Sequence, residues 1–171
     1  MARRTPDKRM RTWLAAAAAF VLAATAPGLL LQAAEETRNE RRVVDVVVIN
    51  DVITPPIGEY IVKSIRQAAE SGSEAIVIQL DTPGGLDLSM RDIIKECLNA
   101  PVPVVVYVSP SGARAASAGV LITISAHVAA MAPGTNIGAA APVAMGGEMG
   151  KTMEKKVTND AAAYMRTIAE K

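Results

Sequence analysis

Three runs of β-branched residues constrain this chain more than anything else in it: RVVDVVVIND (42–51), EAIVIQLD (74–81) and PVPVVVYV (101–108). Runs so uniformly apolar have the composition of strands buried on both faces of a sheet. Between them lie segments of helical period. Residues 58–71 follow the turn Thr54-Pro55-Pro56 and carry, with Ile57, apolar side chains at Ile61, Ile65, Ala68 and Ala69, and Gly72 marks their end. Residues 86–99 repeat the pattern through Leu88, Ile93, Ile94, Cys97 and Leu98. Strands alternating with helices of this length predict an α/β fold of βαβ units, with a parallel sheet between helical layers.

Downstream the pattern is shorter. SGARAASAG (111–119) is a stretch of small residues leading into an apolar helix to Ser125, AHVAAMA (126–132) reads as a fourth strand, and residues 136–142 as a fifth. AMGGEMGKTMEK (144–155) is a loop rich in glycine and methionine. Its Gly150-Lys151-Thr152 ends like a phosphate-binding loop, but the first glycine of that motif would fall at Met145 and no strand leads into it, so nucleotide binding is rejected. From Glu154 a helix runs on with no stop signal before Lys171, so the domain is expected to be C-terminally incomplete. The one cysteine, Cys97, forms no internal disulfide and reads as a buried apolar residue.

Residues 1–34 form a separate unit. Five basic residues and Asp7 precede an uncharged run from Thr12 to Ala34, the pattern of an export signal cut after Ala33 or Ala34, or of an uncleaved membrane anchor. Residues 35–42 are a polar linker, and residues 43–171 are the folded domain. Beyond the basic start the chain keeps 13 of its 18 basic and 16 of its 17 acidic residues, a net of about −3, which argues against a nucleic-acid partner.

Three features converge on a chemistry. Ser117 stands between Ala116 and Ala118 at a junction of loop and helix, where the Ala118 and Gly119 N–H groups face out of a helix start and suit a developing negative charge. The bland alternative is a helix-capping serine. The segment Asp81-Thr82-Pro83-Gly84-Gly85 follows a parallel strand, where open α/β sheets place ligands, and its glycines either present N–H groups to a substrate carbonyl or simply make a tight turn. A serine nucleophile needs a proton acceptor. The only histidine, His127, lies ten residues on, at the start of the fourth strand, and reads as structural. A lysine serves if its amine is neutral, which demands burial, and Lys151, Lys155 and Lys156 are the candidates. Asn159 and Ala163 on the same helix face lean the choice toward Lys156 without deciding it.

LDTPGG, PSGARAASAG, MAPGTNIGAAAPV and KKVTNDAAAYMRTIA, in that order over residues 43–171, resemble the N-terminal protease domain of the NfeD family, membrane-associated Ser-Lys endopeptidases of the Clp protease and crotonase superfamily. The resemblance implies a Clp/crotonase-type superhelix. It implies Ser117 as nucleophile, Lys156 as general base, Gly85 and Ala118 as the oxyanion hole, and Gly84 and Asn159 as supporting residues, with neither metal nor cofactor. Clp proteases carry a histidine after the Pro-Gly-Thr turn, where this chain has Ala139-Ala140-Ala141. The resemblance further implies a peptide or protein substrate with apolar segments, including stomatin-like membrane proteins, a homodimer, and an exported, membrane-associated location. Two other readings remain: a catalytically incomplete binding module for a membrane partner, and a crotonase-type acyl-CoA enzyme.

Overall fold

The computed structural model describes residues 42–141 and 150–170. The export segment, most of the linker and most of the glycine- and methionine-rich loop lie outside the described residues. Four parallel strands form the main sheet: β1 (Val44–Asn50), β2 (Ala75–Asp81), β3 (Val104–Val108) and β5 (Val128–Met131), in the order β1-β2-β3-β5. Helix α1 (Pro55–Glu70) joins the first two strands and α2 (Asp87–Asn99) the next two, giving two βαβ units. Prolines at the first two positions of α1 suit a helix start, where their missing N–H groups are not needed. The helix closes as the Gly72 N–H donates to Ala69 O at 3.3 Å and the Ser73 N–H to Ala68 O at 3.0 Å, satisfying its last carbonyls.

The register aligns Val47 with Ile78 and Ile78 with Val106, and Ile49 with Leu80 and Leu80 with Val108, so one face of the sheet is a continuous aliphatic layer. That face is buried against Ile61 and Ile65 of α1, Ile93 and Ile94 of α2, and Ile122. Each fully buried isoleucine contributes about 1.5–3 kcal/mol relative to exposure. The opposite face differs from the sequence expectation. Val44, Val46 and Val48 are 48–61% exposed, and Tyr107 and Val128 are exposed too, so among the described residues the strands are covered on one face only. Leu88 and Leu98, expected on the inner side of α2, are also exposed, because Ser89, Met90 and Cys97 take the buried positions.

The short strands form a second element that the sequence did not suggest. β4 (Arg114–Ala116) and β6 (Asn136–Gly138) pair in parallel as their own two-stranded sheet, so the expected fifth strand does not extend the first sheet. Backbone bonds tie β4 to the end of β2: the Thr82 N–H donates to Arg114 O at 2.7 Å and the Ala116 N–H to Thr82 O at 3.0 Å. The Arg114 N–H donates to Asp81 Oδ1 at 3.0 Å. The β2 terminus and β4 are thereby held together, with α3 (Ala118–Ser125) starting directly after β4. Helix α4 (Lys151–Ala169) starts three residues earlier than the sequence suggests and packs on α3, and Ile168 is its one fully buried residue. No described helix is long and apolar enough to cross a membrane.

Candidate active site

Ser117 occupies the single residue between β4 and α3, with φ 52° and ψ −116°. A side chain other than glycine rarely adopts this region, and a serine held on a sharp strand-to-helix turn is the geometry that exposes a nucleophilic hydroxyl. The turn is fixed from both sides. The Ser117 N–H donates to Gly138 O at 3.0 Å, and its carbonyl accepts the Val120 N–H at 3.0 Å. The side chain makes no capping hydrogen bond, so the capping alternative is not realised, and its hydroxyl has no partner among the described residues.

Gly84 lies against this serine. A Cβ on Gly84 would stand 2.6 Å from Ser117 Cβ and 3.1 Å from Oγ, and its φ of +113° disfavours any other residue. Gly85 is confined for a different reason, since a Cβ there would fall on the backbone of Ile53. The Ile53 N–H donates to Gly84 O at 2.8 Å and the Leu86 N–H to Ile53 O at 2.9 Å, which clamps the Pro-Gly-Gly turn. Thr82, fully buried, completes the clamp. Its Oγ1 accepts the Gly84 N–H at 3.1 Å and lies 3.2 Å from Gly84 O, to which it donates. Sequence reasoning passed over Thr82, although its place before Pro-Gly-Gly is the signal of a side chain that organises a turn.

Gly85, Ser117 and Ala118 line one cavity of about 220 Å³. The Gly85 and Ala118 N–H groups donate no hydrogen bond among the described residues, and Ala118 opens α3, where the helix dipole favours negative charge. The walls are apolar: Leu86, Met90, Leu121, Ala140 and Ala161. Its remaining lining, Asp87, Arg91 and Tyr164, was also missed from sequence. Arg91 Nε donates to Asp87 Oδ2 at 2.7 Å, and the guanidinium carbon stands 4.4 Å from the Tyr164 ring centroid. Burial pushes the Tyr164 hydroxyl up from its ordinary range, and the hydrogen bond to Asp87 does the same for Arg91.

Two sequence candidates stand elsewhere. Lys156 is exposed and lines a separate cleft with Gly150, Lys151, Thr152 and Met153, and Asn159 is exposed on the same helix. The burial that a neutral lysine needs is therefore not supplied by the described residues. Of α4, Ala161 and Tyr164 reach the Ser117 cavity. His127 has a structural place at the amino end of β3: its Nδ1 accepts the Val104 N–H at 3.1 Å. A wider groove of about 640 Å³ between α1 and α2 is lined by charges of both signs and holds none of the sequence candidates.

The chain is similar to known proteases in sequence and in fold. The membrane-bound protease PH1510 of Pyrococcus horikoshii is 39% identical over 132 residues, which are 76% of this chain and 30% of that protein. Among solved structures, the serine-to-alanine variant of the 1510-N membrane-bound stomatin-specific protease matches with 37% identity and a TM-score of 0.69, over 75% of this chain and 63% of that one. A lysine-to-alanine variant of 1510-N in complex with a substrate peptide matches with 36% identity and the same TM-score of 0.69, over 77% of this chain and 61% of that one. The chain thus spans under a third of the PH1510 protein and about three-fifths of the solved chains. The α/β architecture with its parallel sheet is that of these Clp/crotonase-like protease structures. The family model described as NfeD1b, N-terminal domain, matches residues 43–171, and the chain belongs to that family.

Proposed function

We propose that this domain is a serine endopeptidase in which Ser117 is the nucleophile and Lys156 the general base. One observation carries the reading: Ser117 is held in a strained strand-to-helix turn, its hydroxyl without a partner among the described residues, in one cavity with the Gly85 and Ala118 amides. Ser117 Oγ attacks the peptide carbonyl carbon while its proton passes to Lys156 Nζ, and the Gly85 and Ala118 N–H groups donate to the oxyanion. Collapse breaks the C–N bond as Lys156 returns the proton to the departing amine. Water, deprotonated by Lys156, then cleaves the acyl-enzyme and releases the acid and Ser117. Gly84 leaves room at the serine, and Asn159 supports the lysine from the next helical turn.

The reading requires α4 to bring Lys156 from its cleft to Ser117 when substrate fills the cavity. Solved relatives named for a serine-to-alanine and a lysine-to-alanine variant support the pairing, and their description as stomatin-specific supports an apolar membrane-protein segment as substrate. Met90 and Leu121 in the cavity suit such a segment. The basic and apolar pattern of residues 3–34, with relatives named as membrane proteins, supports an exported, membrane-associated enzyme. The exposed position of Lys156 favours a second reading, a binding module that holds the segment without cutting it.

A fluorophosphonate probe separates the two, since only an activated serine reacts. The adduct should map to Ser117 and vanish in Ser117→Ala. Lys156→Ala should lower hydrolysis of an apolar peptide by about 10²- to 10⁴-fold, and Lys155→Ala should not. A native chain that binds the peptide but takes no label is a binding module.

A further inference from the structure

Helix α4 carries the proposed base, yet only its second half is packed, where Tyr164 and Met165 join Ile168 against the core. Its buried anchor, Ile168, lies near the carboxyl end, and of residues 151–160 only Val157 is even half-buried. Among the described residues, one side-chain hydrogen bond joins α4 to another element: Arg91 Nη2 donates to Asp160 Oδ2 at 3.3 Å. Asp160 stands eight residues before Ile168, about 12 Å along the axis, and one turn after Lys156. The hold is therefore placed where it governs the swing of the helix end that bears the lysine.

Arg91 is itself aimed. Asp87, four residues earlier on α2, fixes its Nε at 2.7 Å, and its guanidinium lies over the Tyr164 ring. One side chain thus meets a carboxylate on α2, and a carboxylate and an aromatic face on α4, at the rim of the Ser117 cavity. A planar guanidinium with several fixed donors does this, whereas a lysine ammonium does not.

The geometry points to Arg91 as a positioning residue, which holds Asp160 and Tyr164 at the rim of the Ser117 cavity as a pivot about which the amino-terminal end of α4 carries Lys156 from its cleft toward the serine. The inference rests on Ser117 and Lys156 as nucleophile and base. Arg91 touches neither and acts through α4.

The test uses the full chain and three variants, Arg91→Ala, Arg91→Lys and Asp160→Asn, read by the rate of fluorophosphonate labelling and by amide exchange across residues 151–160. Arg91→Ala and Asp160→Asn should each slow labelling about tenfold and speed exchange, and Arg91→Lys should recover only part of the loss. Raising the salt from 0.05 to 1 M should slow the native chain toward the variants and leave Arg91→Ala unchanged, because exposed ion pairs are screened. Asp160 is 72% exposed, so its replacement leaves the packing of α2 intact should Arg91→Ala fail to fold. An unchanged labelling rate in Asp160→Asn overturns the inference and leaves the nucleophile standing. If the native chain takes no label, the nucleophile reading falls, and exchange that does not rise in Asp160→Asn overturns the role of Arg91 on its own.

Discussion

At Ser117 the backbone sits where a Cβ is disfavoured, and three bonds keep it there: Ser117 N–H to Gly138 O, Val120 N–H to Ser117 O, and Ala116 N–H to Thr82 O. Strain of this kind is worth about 1–3 kcal/mol and persists only where the surroundings over-determine it. Glycine at 117 accepts the same φ without a penalty, whereas alanine keeps the strain. Chemical denaturation should therefore show Ser117→Gly more stable than Ser117→Ala by about 1 kcal/mol, although neither variant carries a nucleophile. Equal stabilities would mean that the turn relaxes when the hydroxyl is lost. The serine stood out in the sequence as a candidate because its neighbours Ala115, Ala116, Ala118 and Gly119 are small. Its strain was not legible there, since φ at 117 is imposed by Gly138 and Thr82, which are distant in sequence.

At the scale of elements, β1, β2, β3, α1 and α2 were legible because hydrophobic period and turn residues agree in each of them. β4 was not. Arg114-Ala115-Ala116 has no β-branched residue, and it is a strand because its backbone groups meet Thr82 and β6. The base was underdetermined for a related reason. Period along residues 151–169 chooses a helix face, but where that face lies depends on how α4 docks on α3 and buries Ile168 in the core. Ile168→Ala removes that anchor, and a buried isoleucine truncated to alanine loses about 2–5 kcal/mol where the loss is fully felt. Here it should be felt locally. Amide exchange in α4 should rise toward that of an open segment, while α1 and α2 keep their protection. Loss of protection throughout would make α4 part of the cooperative core.

At the scale of the whole domain, the sheet presents two unlike faces. The inner face is sealed by α1, α2 and α3, and the outer aligns Val46 with Val77, Val77 with Val105, and Val105 with Val128. Val46 and Val48 are each 61% exposed, on a strand that among the described residues is an edge of the sheet. Contiguous apolar surface beside unpaired strand groups favours association with another chain. The sequence signal was the same on both faces, because β-branched runs register apolarity and not which side meets a helix. Val46→Lys combined with Val48→Lys puts charge on the outer face and leaves the inner packing of Val47 and Ile49 untouched. We expect this variant to keep its melting temperature to within a few degrees and to scatter less light at high concentration, since it disrupts only solvent-facing positions. A fall in Tm of ten degrees or more would instead show that the outer face is packed in the native protein, and that its valines belong to an interior.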